Sequence, residues 1–242
     1  MLEFFSSLHP GLAFVLFFIE NLFIIFGVIF IGGFLQGKQK RFSLRDITAK
    51  EMLVAVASLS FNTLVTFAGL YLYEKGFIKF RPGFDYTVLT DFLILFFAMD
   101  LLMYFLHFVL HKLPFVYKIV HGLHHQYTNP KPIDLFVLSP FEVLSFGGLW
   151  LILLFAYGPN FYASMLYLIA NVLFGMLGHL SHEPFPKWWT KTPGVNLIST
   201  STFHWQHHQN VHVNFGFYTL VWDRIFGTLA KDYNEKFEEL RK

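Results

Sequence analysis

The stretch LTDFLILFFAMDLLMYFLHFVLH, Leu89–His111, decides how the rest of the chain is read. Its apolar run, Leu89–Leu110, is long enough to cross a bilayer as a helix, which takes roughly 20 residues. It closes on HFVLH, two histidines four residues apart. A lipid-crossing segment that ends in paired imidazoles sets two questions: how many such segments there are, and whether other histidines reach the same place.

Four more apolar stretches have comparable length: Gly11–Leu35, Met52–Tyr73, Phe136–Ala156 and Phe161–Leu180. The last two are joined by YGPN, Tyr157–Asn160, a turn signal that makes them a helical hairpin. Composition agrees with lipid as the main solvent. Apolar residues make up 55% of the 242 positions and charged residues 14%, with 33 phenylalanines; soluble domains carry about 25% charged residues. The expected fold class is therefore all-α integral membrane, with about five apolar segments and a histidine-rich cap. By length this is a single domain, 1–242. Residues 1–88 supply the first spans, 89–229 a histidine-bearing core and 230–242, ending in KDYNEKFEELRK, a solvated C-terminal tail. No cleavable leader is expected, because the first apolar run is too long and lacks a basic flank. No internal repeat or low-complexity linker is evident. The absence of cysteine excludes disulfides, thiolate metal sites and cysteine-held iron–sulfur clusters. A net charge of +2 gives no reason to expect a nucleic-acid partner.

Lysine and arginine set the expected orientation. Lys38, Lys40, Arg41, Arg45 and Lys50 follow the first span, and Lys112, Lys118 and Lys131 follow the third. Lys187, Lys191, Arg224, Lys231, Lys236, Arg241 and Lys242 follow the fifth. Only Lys75, Lys79 and Arg81 fall on the other side. The C-terminal region is thus expected in the cytoplasm and the N-terminus outside. In that arrangement every clustered histidine reaches one face, since the hairpin leaves it and returns.

The clusters have ligand spacing. His107 and His111 share a helix face at i, i+4. HGLHH (His121, His124, His125) and HWQHH (His204, His207, His208) repeat one pattern at i, i+3, i+4, and HLSH adds His179 and His182. Ten imidazoles exceed what one ion uses, whereas two ions taking four or five nitrogens each account for the number. Polar groups this close to hydrocarbon are expensive and tend to be functional. All-nitrogen ligation suits iron, zinc, copper or nickel. A zinc hydrolase is disfavoured because HExxH is absent. Paired iron activating O2 explains both the number and the setting, with zinc able to substitute. His9, in HPG, is read as unrelated to the clusters. His212 is either a neighbour of the ligands or a surface residue. Asp100 and Tyr104 share the face of His107 and His111, where a carboxylate would orient the ligating rings. Asn171 lies eleven residues before His182 on one face, with Gly175 and Gly178 between, glycines that permit close helix packing. Glu20 and Asn62 are intramembrane and read as helix-to-helix contacts. Trp188 and Trp189 read as interfacial anchors.

HFVLH, HGLHH and HWQHH in that order, followed by NFGFYTLVWDRIFGTL (Asn214–Leu229), resemble the fatty acid hydroxylase and sterol desaturase superfamily of integral-membrane di-iron enzymes. The resemblance runs from about Leu89 to Leu229. It implies a helical membrane domain with a cytoplasmic metal cap and O2-dependent hydroxylation of a lipid C–H bond, or desaturation on the same centre. It implies His107, His111, His121, His125, His179, His204 and His208 as metal ligands, with His124, His182 and His207 also candidates. One ring of each HH pair, His124 and His207, can face the substrate as a catalytic group instead. Asn214, Trp222, Asp223 and Arg224 look like packing residues around the cap. The substrate would be an acyl chain, a sterol or a related lipid. Unlike some members, the sequence shows no fused cytochrome b5, and no Gly-rich dinucleotide fingerprint follows a strand. Electrons are expected from a separate donor such as ferredoxin or cytochrome b5 with its reductase. A metal-binding transporter is disfavoured, because transporters place polar groups at the midplane within repeats.

Overall fold

A computed structural model describes residues 2–36 and 46–241. Among the described residues there are helices and turns but no strands. After a short α1 (Leu2–Ser6) come three long helices: α2 (Pro10–Leu35), α3 (Ala49–Glu74) and α4 (Thr87–Lys112). Then follow α5 (Pro114–Val120), the hairpin α6 (Pro140–Tyr157) and α7 (Phe161–Gly178), and three cap helices, α8 (Ser201–Gln209), α9 (Val221–Ile225) and α10 (Tyr233–Leu240). Five of these, α2, α3, α4, α6 and α7, are long and apolar enough to cross a membrane.

Local sequence explains where the spans begin and end. α3 starts at a capping box, in which Thr48 and Glu51 satisfy each other's backbone N–H. α6 starts four residues later than the apolar run suggests. Residues Pro132–Phe136 form a 3-10 turn, and Ser139 caps a helix that opens on Pro140. α6 ends at Gly158, whose left-handed conformation turns the chain into α7. α7 stops at Gly178, so His179 and Leu180 lie just beyond it.

Length separates the helices into two kinds. At 1.5 Å per residue, the 26-residue α4 is about 39 Å long, more than the roughly 30 Å of hydrocarbon. It therefore has spare turns to carry His107 and His111 past the apolar layer. α6 and α7, at 18 residues each, are about 27 Å long.

α4 packs on α7, α2 on α3, and α3 on α6. The α3–α6 approach is close at Gly147, where a Cβ would fall 2.7 Å from Val65. Between α2 and α3 the Asn62 amide donates to Asn21 Oδ1 at 2.7 Å, a helix-to-helix contact as expected. Glu20, by contrast, is exposed on α2. At the end of the bundle away from the histidines, Asp91 gathers the Arg81 guanidinium (2.6 Å), the Tyr157 hydroxyl (2.8 Å) and the Asn160 backbone N–H (2.6 Å). That carboxylate ties the α6–α7 turn to the first turn of α4. The loop basics Lys38, Lys40, Arg41 and Arg45, and Lys242, lie outside the described residues.

The C-terminal segment, expected to be solvated, is a helix solvated on one face only. α10 is amphipathic: its charged face is exposed, while Tyr233 and Phe237 are buried as it packs on α8. Their i, i+4 spacing puts both rings on the cap side. Trp188 is exposed, consistent with an interfacial position, whereas Trp189 stacks on Phe185 at 4.0 Å.

Candidate metal centre

Nine of the ten clustered histidines converge in two adjoining groups. His107, His111, His121, His125 and His207 form the first; His124, His179, His204 and His208 form the second. Within each group the ring nitrogens lie within 4.8 Å of one another. His111 and His204 are half-buried and the other seven are buried. The groups touch, with the His125 and His208 rings 4.8 Å apart.

Helix geometry dictates how the rings are shared. In α8 the i, i+4 pair His204 and His208 points to the second group, while His207, rotated to another face, points to the first. The HGLHH segment is a turn followed by a 3-10 turn at His124–Gln126, and it makes the reciprocal division. His121 and His125 enter the first group and His124 the second. Each motif thus gives two rings to one group and one to the other. His107 and His111 from α4 complete the first, and His179, just past α7, completes the second. His124 and His207, read either as metal candidates or as rings facing a substrate, both sit inside the groups. His182 falls outside both: it lies three residues beyond His179, after α7 has ended.

In the first group the Nε2 atoms close a ring. His107–His121 is 2.9 Å, His121–His125 3.0 Å, and His125–His207, His207–His111 and His111–His107 are each 3.1 Å. These cannot all be hydrogen bonds. The His107 Nδ1–H donates to Phe215 O (2.8 Å) and the His121 Nδ1–H to Glu142 Oε1 (2.7 Å), which leaves a lone pair on each Nε2. Two lone pairs 2.9 Å apart repel unless a cation lies between them. Two imidazole nitrogens about 2.1 Å from one ion and at right angles to each other would be about 3.0 Å apart. The donor set therefore fits a borderline transition metal. In the second group His179 Nδ1 donates to Gly175 O (2.7 Å), and its Nε2 lies 3.4 Å from that of His124. Gly178 allows the approach, since a Cβ there would sit 3.3 Å from the His204 ring. Burial draws the His121, His124 and His207 rings down to about 3 and His179 to about 4, so all four are neutral and able to bind at neutral pH.

The polar residues expected to support the rings behave differently. Asp100 touches no imidazole; seven residues along α4 put it about 10 Å below His107. It binds the cap instead, accepting from the backbone N–H groups of Tyr218 and Thr219, the Thr219 hydroxyl and the Trp222 indole. Tyr104 hydrogen-bonds Thr228 at 3.0 Å, and Asn171 accepts from the Tyr218 hydroxyl at 2.6 Å. Both hold the same cap segment rather than a ring. His212 is a surface residue. The carboxylate that does orient a ring is Glu142, in the first turn of α6, buried with His121. Sequence reasoning missed it, although Glu142 is the one carboxylate in the apolar stretch Phe136–Ala156.

Residues 92–228 match the family model described as Fatty acid hydroxylase. A very-long-chain aldehyde decarbonylase of Oryza sativa is 30% identical over 152 residues, 61% of this chain and 55% of that protein. A methylsterol monooxygenase of Arabidopsis thaliana is 30% identical over 144 residues, 58% of this chain and 53% of the relative. A Delta(7)-sterol 5(6)-desaturase of Leptosphaeria maculans is 28% identical over 170 residues, 68% of this chain and 42% of the relative. The aligned part of the chain spans about half the length of these curated relatives. No solved structure matches the chain.

Proposed function

The chain belongs to the fatty acid hydroxylase family, and from that premise we propose that it is an O2-dependent lipid C–H hydroxylase working on a histidine-held pair of iron ions. The observation that carries this reading is the division of nine imidazoles into groups of five and four that touch each other. A single zinc, as in a hydrolase, would leave one group without an occupant. When bound, a pair of iron ions supplies electrons to dioxygen and an oxidant able to take hydrogen from an unactivated carbon.

The chain's own residues fix where that chemistry happens. His107, His111, His121, His125 and His207 would hold one ion, and His124, His179, His204 and His208 the other. Backbone carbonyls and Glu142 hold the Nδ1 protons of four of these rings, so their Nε2 lone pairs face inward without reorganisation. Phe215 and Phe217 pack on the His107 ring at 5.8 and 5.1 Å and keep water from the first group on that side. The groups lie at the ends of apolar helices, which suits a substrate that arrives from the bilayer: an acyl chain, a sterol or a related lipid. The cap faces the cytoplasm in this proposal, and a separate one-electron carrier, ferredoxin or cytochrome b5 with its reductase, reaches it there.

Desaturation is the second reading, favoured by similarity to a Delta(7)-sterol 5(6)-desaturase. It begins with the same hydrogen removal and ends with loss of a second hydrogen. Lipid mass spectrometry of cells with and without the protein separates the two: hydroxylation adds one oxygen and desaturation removes two hydrogens. The purified chain is expected to hold two irons and to consume O2 only with a reductant. One zinc per chain, with activity retained under nitrogen, would overturn the proposal.

Glu142→Ala tests the support of the first group. It leaves the His121 Nδ1–H buried without an acceptor, and a partner of this kind is worth about 10–100-fold in metal affinity. Competition with a chelator should show that loss for one ion of the two. Undiminished affinity for both would mean that Glu142 does not orient His121.

A further inference from the structure

Among the described residues Asn214 is the one non-glycine with a positive φ, 59°. It lies between the two residues whose carbonyls hold rings of the first group. Val213 O accepts from His207 Nδ1 at 2.7 Å, and Phe215 O accepts from His107 Nδ1 at 2.8 Å. His207 comes from α8 and His107 from α4, so one short strap faces two elements that are far apart in the chain. The left-handed turn at its centre gives the two carbonyls their separate directions.

The strap is pinned on both sides of that turn. The buried Asn214 side chain donates to Phe203 O (2.9 Å) and accepts from the Ala230 N–H (2.8 Å). Asp223 Oδ1 accepts from the Phe215 N–H and Oδ2 from the Gly216 N–H, each at 2.7 Å. Gly216 has no room for a side chain, because a Cβ would lie 2.6 Å from Thr219 O and 2.8 Å from Asp223 Oδ2. With three consecutive residues held this firmly, the carbonyls cannot swing to follow the rings. The rings must follow the carbonyls.

We propose that Asn214 is a positioning residue of the first metal group: its left-handed backbone aims the Val213 and Phe215 carbonyls at His207 and His107, selecting the tautomer in which both Nε2 atoms face the ion. This deepens the reading above and rests on the first group holding a metal. The second group, built from His124, His179, His204 and His208, receives no carbonyl from the strap, so the effect of disturbing Asn214 is confined to one ion.

The test compares Asn214→Gly with Asn214→Ala in the full chain, purified in detergent, stripped with a chelator and titrated with Co2+. Both variants lose the same side-chain hydrogen bonds, but only alanine resists the left-handed conformation. The wild type is expected to take up two ions. Asn214→Gly should keep both, and Asn214→Ala should bind one of them about 10-fold more weakly than Asn214→Gly does. The cobalt absorption bands should show which of two spectroscopically distinct sites is affected. Equal affinities in the two variants, or equal weakening of both ions in Asn214→Ala, would overturn the proposal alone. Failure of both variants to accumulate would assign the strap to folding and also overturn it. Fewer than two ions in the wild type would overturn the paired-metal reading first, and this proposal with it.

Discussion

Replacing His107 by alanine should abolish lipid oxidation while leaving the chain in the membrane. His107 is 1% exposed, and its Nε2 lies 2.9 Å from His121 and 3.1 Å from His111. Alanine removes one corner of the first group and leaves Phe215 O without its donor. Loss of a residue that only orients a ligand costs about 10–100-fold, so loss of the ligand itself should exceed about 100-fold. The helix is not at risk, because alanine is the strongest helix former and α4 has many other apolar residues to hold it in lipid. His208→Ala should give the same loss of product through the second group. His9→Ala is the control, since His9 caps the start of α2 and belongs to neither group. Product is measured by lipid mass spectrometry, and chain by membrane fractionation. Product from His107→Ala comparable to wild type would remove the first group from the reaction.

Asp100→Ala should act on the fold rather than on the ions. Asp100 is fully buried, and its two oxygens accept from Tyr218 N–H (2.8 Å), Thr219 N–H (3.3 Å), the Thr219 hydroxyl (2.5 Å) and the Trp222 indole (3.0 Å). Each donor left buried and unpaired costs about 1–3 kcal/mol. With partial relaxation the total should be about 3–5 kcal/mol, as for breaking other buried charged networks. A typical domain has only about 5–15 kcal/mol in hand. The variant is therefore expected to accumulate poorly and unfold at a lower temperature in detergent, with the cap segment 214–229 becoming the first site of proteolysis. Asp100→Asn should melt between Asp100→Ala and the wild type, because one amide oxygen still accepts while the NH2 group faces other donors. Wild-type melting of Asp100→Ala would show that α4 and the cap are joined by something else.

The spans were legible because a transmembrane helix is a property of composition over a window, and the runs around Leu89–Leu110 and Phe161–Leu180 have little else they can be. The clusters were legible for a related reason: i, i+4 spacing predicts a shared face wherever the chain is helical, as it is at His107/His111 and His204/His208. What spacing does not carry is the identity of the partner across space. Nothing in HGLHH says that His124 leaves its neighbours for the second group, since that depends on where α7 delivers His179. Asp100 shows the limit from the other side. It shares a helix face with His107, but a face is a direction and not a distance, and two turns put it out of reach. Tyr233 and Phe237 were hidden among the charges of the last helix, where four acidic or basic side chains outweigh two aromatic rings in composition but not in packing.

The spread of the imidazoles from His107 to His208 has a consequence for how the protein is made. Insertion of α2, α3, α4, α6 and α7 can proceed with no ion present, because each helix satisfies its own backbone in lipid. The two histidine groups are complete only once α8, which carries His204, His207 and His208, has been synthesised and docked against the earlier segments. On the proposed reading biogenesis is therefore ordered, with bilayer integration first and mineral acquisition last. In that order, chains made without the metal would still be inserted and would await loading in the bilayer.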